Sequence, residues 1–155
     1  MTWQRIIVHN SESDDTDEVD TIDIDRWHKE FGWQMIGYNV VIERIGSGPD
    51  YHPVGGRPLD MPGAHCRGRN HDSIGVCFVG DFNKYAPPEA QIREGARVIA
   101  KFCRKYGIKP DQIRAHSDFA NTDCPGQHFP MELLRNLVRR ELMRGDPDKD
   151  TTRPQ

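Results

Sequence analysis

No apolar run in this 155-residue chain approaches a membrane-spanning length, which excludes a transmembrane helix of about 20 residues. The opening Met1-Thr2-Trp3-Gln4-Arg5 is followed by only three apolar residues, too few for a signal-peptide core of about 7–15. The chain is therefore expected to be made in the cytoplasm, and action outside it needs another route of release. Net charge is nearly absent too. The 21 basic and 24 acidic side chains leave −3, so no basic footprint invites nucleic acid or an anionic membrane. The four cysteines (Cys66, Cys77, Cys103, Cys124) include no C-x-x-C pair, which argues against a closed zinc knuckle. Free thiols are the expectation for a reducing compartment, with Cys77 and Cys103 in strand and helix interiors. Spacing alone leaves a Cys66–Cys77 disulfide open. Internal repeats are also missing.

What is present suits one globular domain. The hydrophobic fraction of 35% and mean hydropathy of −0.77 are low, but a chain of this length buries about two thirds of its unfolded surface. The domain is expected over 1–144, with the polar stretch 145–155 as a disordered tail.

Arg5 to His9 is short, apolar and rich in β-branched residues, the pattern of a buried strand. Glu12 to Asp20 carries six acidic residues and no basic one, a solvated loop. Asp23 to Phe31 predicts a helix with Ile24, Trp27, His28 and Phe31 on one face and Gly32 at its end. Tyr38 to Glu43 alternates as a strand. Residues 49–72 are rich in proline and glycine and predict loop with one short edge strand. Ser73 to Val79 reads as a strand buried on both faces. The Pro87-Pro88 pair opens a long helix to Tyr106 with Gly107 as its stop. Ile113 to His116 is another short strand, and a last helix runs from Pro130 to Arg144. This order predicts an α/β fold: a single domain with a central mixed β-sheet flanked by helices.

Three residues stand out as candidate ligands: His9, His116 and Cys124. Two imidazoles and a thiolate make a three-ligand zinc set, which leaves a coordination position open for water or substrate. If the strands ending in His9 and His116 are neighbours, both rings reach one point beyond the strand ends, where open α/β sheets place ligands. Cys124 returns on a loop turned by Pro125-Gly126. Spacing alone also allows three unrelated residues: a capping His, a surface His and a buried thiol. Of the other histidines, His65 in Gly63-Ala64-His65-Cys66 either faces substrate or is a plain loop residue. His52, His71 and His128 read as surface positions, and His28 as a half-buried helix residue without a role.

Four stretches carry a resemblance. They are Ile7-Val8-His9-Asn10-Ser11; Trp27-His28-Lys29-Glu30-Phe31-Gly32-Trp33 with Ile36-Gly37-Tyr38-Asn39; Gly63-Ala64-His65 through Asn70-His71-Asp72-Ser73-Ile74-Gly75-Val76; and Arg114-Ala115-His116 through Cys124-Pro125-Gly126. Together, and in this order, they resemble the zinc-dependent N-acetylmuramoyl-L-alanine amidases of the amidase type 2 family, which includes phage endolysins and animal peptidoglycan recognition proteins. The resemblance implies that His9, His116 and Cys124 hold one zinc ion and that Tyr38 and Thr122 line the catalytic position. His65 and Asn39 are its candidate substrate contacts. Thr122 stands where some phage members look to carry lysine and recognition proteins threonine. Cys77 stands where recycling amidases of the family carry a glutamate base, so this chain looks more like the phage and recognition-protein branch.

The implied activity is hydrolysis of the amide between N-acetylmuramic acid and L-alanine, by a monomer acting on the cell wall after release from a phage, prophage or bacterial source. Peptidoglycan is the implied partner, with neither nucleic acid nor membrane. Two other classes stay in view: a peptidoglycan-binding module without catalysis, and a cysteine-nucleophile amidase using Cys124 with His116.

Overall fold

Strand β1 (Arg5–Asn10) is the apolar run the sequence predicts, and all but its first residue are buried. The computed structural model describes residues 1–13 and 19–149. Helix α1 (Thr21–Glu30) follows, then the hairpin β2 (Val40–Arg44) and β3 (Tyr51–Gly55), strand β4 (Ser73–Phe78), helix α2 (Glu89–Tyr106), strand β5 (Ile113–Ala115) and helix α3 (Met131–Arg144). The sheet order is β3-β2-β4-β1-β5. β2, β4, β1 and β5 run parallel, and β3 is an antiparallel edge. Pro53, which has no N–H to give a ladder, sits on that edge strand.

Strand alternation sorts the core into two faces. Ile6, Val8, Ile74, Val76 and Phe78 pack with Ile92, Ala96 and Ile99 of α2 and Leu134 and Val138 of α3. On the other face Val41 and Cys77 meet Ile24 of α1. His9 pairs in register with Cys77 and therefore points to this second face. The helices on the first face come close: a Cβ on Gly95 of α2 would lie 2.3 Å from the Phe78 ring, so only glycine lets the helix seat there. Gln91, fully buried, donates from Nε2 to the carbonyls of Ile42 and Val79 at 3.1 and 2.9 Å, tying β2 to the chain beyond β4.

Several sequence expectations shift. Helix α1 starts at Thr21, not Asp23, because Asp20 caps it. Asp20 Oδ1 accepts from the Asp23 N–H at 2.9 Å, and Asp23 Oδ2 accepts from the Asp20 N–H at 3.2 Å. Phe31 lies beyond the last turn and is 74% exposed instead of sharing the buried face with Ile24. Strand β2 begins at Val40, so Tyr38 precedes the alternation and packs with Val41 and Cys77. His116 opens a short 3-10 helix (His116–Asp118) instead of ending β5. All four cysteines are free, so Cys66 and Cys77 form no disulfide. In the stretch read as a tail, Pro147–Lys149 forms a short 3-10 helix, and Lys101 pairs with Asp148 at 3.3 Å. Residues 150–155 of that stretch and residues 14–18 of the acidic loop lie outside the described residues. Among the described residues no helix is long and apolar enough to cross a membrane.

Candidate metal centre and active site

β1 and β5 are sheet neighbours, paired Ile7 to Arg114 and Val8 to Ala115. One step further along the same register stand His9 and His116, with ring centroids 4.5 Å apart at the C-terminal edge of the sheet. The loop after His116 is closed by its own backbone. The Ser117 N–H donates to the Cys124 carbonyl at 2.9 Å, and Asp118 Oδ2 accepts from Arg114 Nε at 3.0 Å and from the Ala115 N–H at 3.1 Å. Gly126, with φ +109°, turns the chain out again where an added Cβ would lie 2.4 Å from the Phe82 backbone. Cys124 is thereby returned to β1, and its Sγ accepts from the Asn10 N–H at 3.4 Å.

The donor atoms of His9, His116 and Cys124 all lie within 4.8 Å of one another. His9 Nδ1 and Cys124 Sγ are 3.7 Å apart. Donors on one tetrahedral zinc are roughly 3.5 Å apart, so the set fits that ion without rearrangement of the backbone. Burial is the first cause that holds His9 well below the usual imidazole pKa, followed by repulsion from His65 and His116; burial likewise lowers His116. Both therefore offer lone pairs at neutral pH. Burial pushes the Cys124 thiol up to about 12.

The three donors stand at the head of a cleft of about 260 Å³ whose walls include Tyr38, Thr122, His28 and Trp33. A shallower depression of about 420 Å³ continues past Trp33 and His116 to Arg67 and Asn70. The Tyr38 ring lies 5.0 Å from that of His9. Burial first, then the nearby Cys77 and Cys124, raises the pKa of its hydroxyl well above the ordinary value. Tyr38 thus keeps its proton as a donor. Thr122 Oγ1 accepts from the Cys124 N–H at 3.2 Å, so Thr122 both lines the cleft and holds the cysteine loop.

A family model for N-acetylmuramoyl-L-alanine amidases matches residues 1–127. The chain belongs to this family. It is 32% identical to the endolysin of Enterobacteria phage T3 over 152 residues, covering 94% of this chain and 92% of the relative. Among solved structures it is similar to the amidase LysC from Clostridium intestinale, with a TM-score of 0.79, 27% identity and 90% and 87% of the two chains covered. A Drosophila PGRP-LB variant in complex with tracheal cytotoxin superposes with a TM-score of 0.71 at 26% identity, over 86% of this chain and 83% of that one.

Against the family's pattern, the fold brings His9, His116, Cys124, Tyr38 and Thr122 to one cleft. It does not offer Asn39 to a substrate. Asn39 is 3% exposed, its Nδ2 donates to the Arg57 carbonyl at 3.1 Å, and its Oδ1 accepts from the Gly75 N–H at 2.9 Å. His65, 7% exposed, lines the cleft beside His9, with Nδ1 2.9 Å from His9 Nε2 and Nε2 3.2 Å from the Ser73 carbonyl. Both ring nitrogens are already committed. Sequence reasoning passed over His28, which forms part of the cleft wall. Its Nδ1 accepts from the Gly37 N–H at 2.9 Å, and its ring lies 4.7 Å from Trp33 and 5.4 Å from Tyr38. Helical periodicity had explained His28 as half-buried. Only the stretch from Trp27 to Asn39, which carries part of the resemblance, hinted at more.

Proposed function

We propose that this protein is a zinc-dependent N-acetylmuramoyl-L-alanine amidase that lyses cell walls in the manner of an endolysin. It hydrolyses the amide joining the lactyl group of N-acetylmuramic acid to L-alanine. The observation that carries the reading is a His-His-Cys donor set at the head of an open cleft, in a chain whose residues 1–127 match this amidase family. His9, His116 and Cys124 would hold a zinc ion, which when bound would supply Lewis-acid polarisation of the scissile carbonyl and lower the pKa of water to ~7. The Tyr38 hydroxyl, kept protonated by burial, donates to the oxygen that gains charge in the transition state. Thr122 fixes Cys124 and offers its hydroxyl to the attacking water. Trp33 and His28 form part of the cleft wall. A cysteine-nucleophile mechanism is disfavoured, because an activated thiol has a lowered pKa, whereas burial pushes Cys124 up to about 12.

Digestion of purified peptidoglycan tests the reading. New L-alanine amino termini are expected, with no new reducing sugar ends, and a zinc chelator should stop the release until zinc is restored. New reducing ends without new amino termini would assign the protein to glycoside chemistry and end the proposal.

Zinc uptake should also be coupled to pH. Cys124 is a thiol at pH 7, raised to about 12 by burial, and must lose its proton to bind, whereas the two histidines, lowered from their ordinary pKa, are already neutral. Uptake is therefore expected to release about one proton per ion, so that affinity rises roughly tenfold per pH unit around neutrality. Calorimetry in buffers of different ionisation enthalpy measures this. Uptake without proton release would remove Cys124 from the ligand set.

A further inference from the structure

A neutral imidazole can carry its hydrogen on either nitrogen, yet only the bare one can bind a cation. We propose that His65 is a positioning residue that holds His9 in the Nε2–H tautomer and so makes Nδ1 its metal-binding atom. This rests on the zinc reading above and deepens it.

The hydrogen-bond order can be followed from a fixed point. The Ser73 carbonyl, which only accepts, lies 3.2 Å from His65 Nε2. The Ser73 hydroxyl lies 3.4 Å from the same nitrogen and gives its own proton to the Arg69 carbonyl at 2.6 Å, so it too is an acceptor there. His65 Nε2 therefore carries the hydrogen, and His65 Nδ1 keeps a lone pair. That nitrogen lies 2.9 Å from His9 Nε2, which must donate. His9 Nδ1 is left bare on the side facing Cys124 Sγ, 3.7 Å away.

The surroundings keep the His65 ring from turning over. A Cβ on Gly75 would lie 2.6 Å from its Cγ, and one on Gly63 2.6 Å from its Cδ2, so the two glycines form a slot the width of the ring. Asn70 Oδ1 accepts from the backbone N–H groups of His65 and Cys66, each at 2.9 Å, and anchors the loop that carries the ring. Ligating histidines commonly give their second N–H to a carboxylate, carbonyl or water, and loss of that partner costs about 10–100-fold in metal affinity. Here the acceptor is a second imidazole, itself set by a backbone carbonyl.

His65→Leu removes the acceptor at similar volume, while His65→Asn restores an oxygen near the position of Nδ1. The zinc dissociation constant, measured by competition with a chromophoric chelator, is expected to rise about 10–100-fold in His65→Leu and to recover largely in His65→Asn. Nitrogen-15 spectra of labelled histidine in the metal-free parent should show His9 protonated at Nε2. In metal-free His65→Leu they should show both tautomers. Zinc affinity within twofold of the parent in folded His65→Leu overturns the proposal, as does a parent His9 protonated at Nδ1. The parent spectrum requires neither a folded variant nor bound zinc. A parent that takes up no zinc yet shows the expected tautomer defeats the zinc reading and leaves the His65–His9 order standing.

Discussion

Cys124→Ser will leave a folded chain that no longer holds zinc stoichiometrically and hardly turns over peptidoglycan. The substitution keeps the side-chain size, and the loop closure depends on backbone groups, the Ser117 N–H to the Cys124 carbonyl above all. The fold therefore has little reason to fail. What disappears is the thiolate, the one anionic donor in the group of His9, His116 and Cys124. A hydroxyl is a far weaker zinc ligand, and a three-ligand site has none to spare. If the ion contributes about 4–6 kcal/mol to the transition state, its loss lowers turnover by roughly 10³–10⁴. His116→Ala should act similarly, since His116 is only half-buried and its removal opens little core. His9→Ala is the poorer probe, because it also strips His65 Nδ1 of its partner. Metal analysis beside a peptidoglycan turnover assay measures the effect. One zinc per chain together with parental activity in Cys124→Ser would falsify the ligand assignment.

Tyr38→Phe should separate chemistry from metal retention. The ring, which packs with Val41 and Cys77 and lies 5.0 Å from the His9 ring, is retained. Only the hydroxyl is deleted, and its neighbour in the fold is the Cys77 thiol, a weak hydrogen-bonding group. Stability and zinc content should therefore hardly change. Loss of one oxyanion donor costs about 10²–10³ in kcat, or ~3–4 kcal/mol. Thr122→Ala should be milder, within about tenfold, because it loses the acceptor for the Cys124 N–H and a hydroxyl that water can replace. Both effects are read as kcat on a muramyl peptide, with zinc measured alongside. Activity within twofold of the parent in Tyr38→Phe would leave the metal as the electrophile and remove Tyr38 from the reaction.

The elements that sequence determined are those whose signal is local. β1 and β4 are buried on both faces and read from short apolar runs, Ile6 to Val8 and Ile74 to Phe78. α2 shows its 3.6-residue period through Ile92, Ala96, Ile99 and Cys103, and Gly107 at φ +68° stops it as a left-handed cap should. His9, His116 and Cys124 were legible as a candidate donor group through residue type and through four motifs in order, and the fold brings their donor atoms within 4.8 Å of one another.

Tertiary structure decided what depends on pairing across the chain. Nothing between residues 10 and 73 states that β4 inserts between β1 and β2, yet that insertion sets Cys77 beside His9. The start of α1 was hidden because Asp20 looks like one more charge in an acidic run until it bonds the Asp23 N–H. Asn39 looked like a substrate contact because loop polarity is the same in sequence whether a side chain meets solvent or spans the interior. Only the fold shows Asn39 bonded to Gly75 and Arg57, and His65 locked between Ser73 and His9. Periodicity reports which face of an element is apolar. Which partner a polar group finds on that face is set by the packing of segments distant in sequence, and no local pattern encodes it.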